Sequence, residues 1–228
     1  MSNPNEDHIL RSWHTNAGAW NTAIDSNAIR SRVLVTNEAI VNNIVELSPS
    51  TYLDLGCGEG WLVRAINEKL PGVVAEGADA IPNLVAMAGQ KFKASHFTIA
   101  SYQDIIAGQY KPARSYDVIS FNFSLFGNEL VGYLLTAIIP FFSPKGKLVI
   151  QTLHPYSSCG DLPYRDGWRE GSWNGFSPDF NDPAPWYFRT FNGWFRLLHH
   201  CGYAITDIRE PIHPETGMPA SLIFVAQP

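Results

Sequence analysis

Apolar and polar residues alternate along the chain in two rhythms. Short apolar runs at 52–55, 73–78, 96–100, 116–121 and 147–153 have the length and continuity of strands buried on both faces of a parallel sheet. Between them the apolar positions fall at helical spacing, as in Trp61, Leu62, Val63, Ala65, Ile66 and Leu70, in a helix opening at Pro82, and again over 129–139. The first 50 residues also read as helical. Trp13, Ala17 and Trp20 share one face, and a second pattern runs through Val33, Leu34, Ile40, Val41, Ile44 and Leu47 until Pro49 stops it. S-P-K-G-K predicts a turn into the run at 147–153. Beyond residue 188 a helix ended by Gly202 precedes two strands, 203–210 and 221–226. Strands and helices alternating in this way predict an α/β fold.

One stretch organises the rest. Thr51 to Trp61 reads T-Y-L-D-L-G-C-G-E-G-W, a strand, a glycine turn and a helix start. Glycine lets the backbone turn sharply and approach a ligand where a Cβ would clash. The free N–H groups of the helix start then face a polar or anionic group. The spacing is G-x-G-x-G with Asp54 two residues before Gly56, whereas the dinucleotide fingerprint is G-x-G-x-x-G and does not ask for that acid. A second acid, Asp79, closes the next strand, where doubly wound folds present a carboxylate to ribose hydroxyls. His154 ends the strand at 147–153, at the crevice where such folds bind ligands. Histidine titrates near neutrality, which suits a general base. Lining the substrate pocket or bonding to the loop are the other readings of His154.

D-L-G-C-G-E-G, built on Asp54, Gly56, Cys57, Gly58 and Gly60, resembles motif I of the class I S-adenosylmethionine-dependent methyltransferases. The similarity extends over Thr51 to Pro228 and is of the small-molecule kind, like the type 11 and type 12 methyltransferase domains. G-A-D-A-I-P resembles the second motif, which implies Asp79, Ala80 and Ile81 at the ribose and adenine of the cofactor. S-Y-Q-D departs from the commonest pattern, which has an acid at Ser101. Ser101, Tyr102 and Gln103 are then the candidates for adenine, with Asp104 an N-cap alternative. Y-D-V-I-S-F-N-F resembles motif IV, which implies Asn122 and Phe123 beneath the transferred methyl group. It is not the N-P-P-Y or D-P-P-Y of enzymes acting on nucleic-acid bases. Arg32, on the helical segment expected to close over the site, is a candidate for the cofactor carboxylate.

The resemblance implies a Rossmann-like, doubly wound sheet of seven strands, six parallel and the last antiparallel between its neighbours, with added N-terminal helices. Residues 1–228 then form a single methyltransferase domain: a helical cap (1–50), a cofactor-binding core (51–154), an aromatic lid (155–188), and a C-terminal helix and hairpin (189–228). The expected cofactor is S-adenosylmethionine, leaving as S-adenosylhomocysteine, and the acceptor a small molecule with an oxygen, nitrogen or carbon nucleophile. A regulatory or non-methylating protein on the same fold, or a protein or RNA methyltransferase, are the rivals.

Residues 155–188 carry proline, glycine and rings where a structureless loop would be either functional or disordered, and rings argue against disorder. Tyr156, Tyr164, Trp168 and Trp186, with Trp13 and Trp20, are the candidate walls of an acceptor pocket, joined by Trp173 and Phe176. Such rings attract a sulfonium cation. An oligomer interface is the other reading of these rings, and a monomer or a homodimer is expected. A net charge of −5 lacks the basic stripe a nucleic-acid partner needs. Three cysteines without C-x-x-C spacing suggest neither disulfides nor a metal site and fit a reducing compartment. The absence of a signal peptide or an 18-residue apolar window implies no membrane partner and a cytoplasmic address.

Overall fold

The computed structural model describes residues 3–173 and 176–228. Helix α1 (Pro4–Asp25) is started by Asn3, whose side chain accepts from the Asn5 N–H at 3.1 Å, and by Pro4 in the first turn. A π-helical turn, Arg32–Thr36, runs straight into α2 (Asn37–Glu46). Then follow β1 (Thr51–Leu55), α3 (Trp61–Lys69), β2 (Val74–Asp79), α4 (Pro82–Lys91), β3 (His96–Ile99), α5 (Tyr102–Ile106), β4 (Tyr116–Asn122), α6 (Glu129–Ala137) and β5 (Phe142–Thr152). A short α7 (Pro155–Ser158) and two three-residue strands, β6 (Gly167–Arg169) and β7 (Trp186–Phe188), precede α8 (Phe191–His200), β8 (Ala204–Arg209) and β9 (Leu222–Gln227).

Seven strands make one sheet in the order β3-β2-β1-β4-β5-β9-β8. Only β9 runs against its neighbours, pairing antiparallel with both β5 and β8. Alternate residues of the central strands feed two cores, as the two-residue period of a strand requires. Leu53, Ile119, Leu148 and Phe224 face α6 and α8 through Leu134, Leu135, Trp194 and Leu198. Tyr52, Val118, Val149 and Ile223 face α2 and α3 through Ile40, Ile44, Leu62 and Ile66. The chain leaves β1 for a neighbour on one side and β4 for a neighbour on the other, so a crevice opens at their carboxyl ends.

Two local expectations are corrected, and a third, the ordered aromatic lid, gains detail. Val33 and Leu34, expected on the buried face, are 52% and 37% exposed, because the π turn carries Arg32 and Thr36 inward instead. S-P-K-G does not precede β5 but interrupts it: Tyr116 pairs with Phe142 and Val118 with Lys147, so residues 143–146 loop out as a bulge. The aromatic segment is not structureless. β6 and β7 form an antiparallel ribbon in which Trp168 opposes Tyr187, their rings edge to face at 5.4 Å.

Candidate active site

β1 delivers the glycine loop to the crevice. The N–H groups of Gly56 and Cys57 donate to Ala78 O at 2.8 and 3.1 Å, stitching the loop to the end of β2. Gly56 has φ +78°, and a Cβ there would stand 2.6 Å from Ser124 Cβ and 2.7 Å from Tyr102 Oη. Asp79 fixes the next turn. Its Oδ2 accepts from the Gly58 N–H at 2.8 Å and its Oδ1 from the Ile81 N–H at 2.9 Å. Burial pushes its carboxyl upward against those two bonds. Each oxygen keeps a lone pair for a ligand hydroxyl.

Asp54 lies deeper, 2% exposed, accepting from Ser120 Oγ at 2.7 Å. Burial first, and the nearby Asp79 charge in addition, push its pKa up to about 7 against the Ser120 hydrogen bond. Because the folded protein holds this proton more tightly than the unfolded chain does, stability falls as pH rises between the carboxyl's ordinary range and neutrality. Asp54→Asn removes that slope. In urea unfolding between pH 4 and 8, the variant is expected to gain on the wild type by roughly 4 kcal/mol over the range. A gap that does not change with pH rejects the assignment.

The π turn aims Arg32 at the same loop. Its Nε donates to Asn37 Oδ1 at 3.1 Å, and its guanidinium carbon sits 4.8 Å from the centroid of Trp61 and 5.6 Å from that of Trp20. Nη1 is buried without a partner. Burial lowers the pKa to about 10, so the group stays charged at neutral pH.

These pieces face one cavity of about 400 Å³, within the usual range of small-molecule sites. Its roof is made by two segments far apart in sequence. Ser12 Oγ donates to Asp182 O at 2.6 Å and accepts from Trp173 Nε1 at 2.8 Å. Asn16 donates to Asn181 O at 2.6 Å and accepts from the Asn181 N–H at 2.8 Å. Trp13 packs edge to face against Trp20 and Trp173, at 5.2 and 4.8 Å.

Of the residues assigned from sequence to the cofactor, the cavity wall takes in Arg32, Asp54, Gly56, Cys57, Gly58, Asp79, Ala80, Ile81, Tyr102, Gln103, Asn122 and Phe123. Of those assigned to the acceptor it takes in Trp13, Trp20 and Trp186, with Trp173 and Phe176. Phe123 holds a left-handed φ of +50° at the end of β4, a strained conformation that turns the chain across the crevice.

Six predicted residues stand outside that wall. A Cβ on Gly60 would meet Phe97 at 2.7 Å, so this glycine serves packing behind the loop. Ser101 caps α5 in a capping box with Asp104, which occupies the third helical position, not the cap. His154 turns toward Glu210, its Nε2 2.7 Å from Oε1, while Nδ1 accepts from the Tyr156 N–H at 3.2 Å. Nε2 therefore carries the proton, and neither nitrogen faces the cavity. Tyr156 is 67% exposed. Tyr164 packs on Phe188 and accepts from the Phe191 N–H, and Trp168 belongs to the ribbon.

Several lining residues were not singled out by sequence: Glu6, Ile9, Leu10, Phe126 and Leu130, and Trp61 in a cavity role. Ile9 and Leu10 flank the Trp13 stripe at helical spacing, a signal that was available. Glu6 carried none, since an acid in a first helical turn ordinarily answers the helix dipole. Among the described residues, no cluster of three or more His, Cys, Asp or Glu side chains could hold a metal ion, and no helix is long and apolar enough to cross a membrane.

A doubly wound sheet with a glycine turn and an acid ending each of its first two strands defines a nucleoside-binding α/β protein. Residues 30–205 match the methyltransferase domain family, and the chain belongs to that family. No curated protein matches it. Among solved structures it is similar to an S-adenosylmethionine-dependent methyltransferase from Mesorhizobium loti, with 22% identity over 78% of this chain and 90% of that one and a TM-score of 0.60. It is also similar to the 1,6-didemethyltoxoflavin-N1-methyltransferase of Burkholderia thailandensis, solved with 1,6-didemethyltoxoflavin and S-adenosylhomocysteine: 15% identity over 99% and 90%, TM-score 0.69. The glycopeptide N-methyltransferase MtfA, complexed with S-adenosylmethionine, gives 10% identity over 78% and 80%, TM-score 0.59.

Proposed function

We propose that this protein transfers the methyl group of S-adenosylmethionine to an oxygen, nitrogen or carbon nucleophile of a small molecule. The observation that carries the reading is the pairing, on one cavity, of a buried guanidinium with an unpartnered Nη1 and a carboxylate anchored by two backbone N–H groups. A ligand with both a carboxylate and a ribose answers both. Arg32 would hold the methionine carboxylate, Asp79 the ribose hydroxyls, and Ala80, Ile81, Tyr102 and Gln103 the adenine. Asp54, Gly56, Cys57 and Gly58 supply the loop, with Asn122 and Phe123 on the acceptor side.

When bound, the cofactor supplies an electrophilic methyl carbon on a sulfonium sulfur. The work left to the chain is alignment and exclusion of water. Trp13, Trp20 and Trp173 roof the cavity with ring faces and edges that keep water out and favour positive charge over anionic groups. A wall of rings closed by hydrogen bonds from α1 to Trp173, Asn181 and Asp182 suits a small acceptor better than a polymer.

Calorimetric titration with S-adenosylmethionine and S-adenosylhomocysteine tests the reading, on wild type and on Arg32→Met, which keeps the apolar stem and deletes the charge. Micromolar binding by the wild type is expected, weakened roughly 10- to 100-fold in the variant. The variant should melt no lower than the wild type, since the cost of burying the guanidinium outweighs the attraction of Glu59. No binding by the wild type overturns the proposal.

A further inference from the structure

The cavity holds one charged group that the cofactor reading does not use. Glu6, in the first turn of α1, is only 6% exposed and lines the cavity together with Phe126 and Leu130. Its Oε1 accepts from the N–H groups of Asn128 and Leu130 at 2.9 and 3.3 Å, at the N-terminus of α6. The carboxylate lies against Gly127, where a Cβ would stand 2.8 Å from Oε2 and push the side chain aside. Oε2 itself is buried without a partner. A carboxylate oxygen removed from water and left unpaired is costly, and such a group is ordinarily satisfied by something.

We propose that Glu6 Oε2 recognises the methyl acceptor, accepting a hydrogen bond from an N–H or O–H on its body. The assignment rests on the cofactor reading above and names the substrate class that the reading leaves open. The charge of Glu6 is already met by two backbone N–H groups at a helix N-terminus and, at longer range, by the buried guanidinium of Arg189. A neutral donor therefore fits Oε2 better than a second cation. The same cavity is lined by Ile9, Leu10, Leu130, Leu153 and the rings of Phe126 and Trp186, with the polar Ser12, Asn122 and Ser124 among them. Ser172 Oγ and Thr36 Oγ1 are further unpartnered polar atoms of lining residues. The acceptor class is thus a compact, largely apolar and flat molecule with a neutral N–H or O–H, as in a nitrogen heterocycle or a phenol.

The test uses matched probes that differ only in the donor, indole against 1-methylindole and 4-methylphenol against 4-methylanisole. Binding is measured by calorimetry to the protein saturated with S-adenosylhomocysteine. Wild type is expected to prefer the donor-bearing member of each pair by about tenfold or more. Glu6→Gln keeps a carbonyl for Asn128 and Leu130 but turns the inner atom into a donor. It should still bind S-adenosylhomocysteine while its preference falls below about threefold. Glu6→Asp, which withdraws the carboxylate by one methylene, should lower the preference in the same direction if the glutamine variant does not fold. Equal binding of paired probes by the wild type, or no binding of either donor at millimolar concentration, overturns the proposal. Loss of S-adenosylhomocysteine binding by the wild type is a different failure and rejects the cofactor reading instead.

Discussion

Asp79→Asn is expected to lower the affinity for S-adenosylhomocysteine about a hundredfold or more. A carboxylate that accepts from two ribose hydroxyls makes two charge-assisted bonds of about 1.5 kcal/mol each, together worth more than a hundredfold in affinity. The amide keeps one acceptor oxygen and sets an NH2 against either the Gly58 N–H or the ligand, so it loses one bond outright and replaces a second by opposed donors, about tenfold each. The unliganded variant should melt near the wild type, because Asp79 is a buried carboxyl whose ionised form burial disfavours. Calorimetry and thermal melting together decide the matter. Wild-type affinity in a folded variant would remove Asp79 from the site.

The second large effect is on folding. Gly56→Ala is expected to destabilise the protein by about 3 kcal/mol, combining the left-handed φ that a Cβ disfavours with a clash against Ser124 and Tyr102. Neither neighbour yields easily. Ser124 Oγ donates to Leu55 O at 3.2 Å, and Tyr102 Oη donates to Ser124 O at 3.3 Å. Gly18→Ala, in the middle of α1 with open space where its Cβ would go, supplies the contrast and should stabilise by about 0.5–1 kcal/mol. Urea unfolding of the two variants beside the wild type checks both signs. A Gly56→Ala protein as stable as the wild type would show that the loop relaxes, and that its glycine is there for the ligand alone.

What the sequence disclosed and what it hid divide along a physical line. Asp54, Gly56, Gly58 and Asp79 were legible because their roles are set within a few residues: a strand, the turn that ends it, and the acid at the next strand end. The central strands were legible because double burial leaves an unbroken apolar run. The place of Arg32 on the cavity was expected, but not the turn that puts it there. A π turn adds a residue to one helical turn without changing the composition, so Val33 and Leu34 kept an apolar pattern while rotating outward. His154 sits where a parallel strand ends, yet its ring direction is decided by Glu210, 56 residues away. Glu6 is the same case at greater range, since its burial depends on the start of α6, more than 120 residues on. In the aromatic segment no period links ring to ring, so Trp173 and Trp186 face the cavity while Tyr156 and Trp168 do not, for reasons that lie in the β6–β7 ribbon and in α1.

The place of β9 bears on how the chain is made. Five strands, β1 to β5, can pair in their final order once residue 152 has been synthesised, and they already include the glycine loop and Asp79. β8 emerges next but has no neighbour until β9, which comes after it, slips between it and β5. Through that interval the nascent protein carries an open apolar edge at Leu148–Thr152, the stretch most exposed to pairing with the wrong strand.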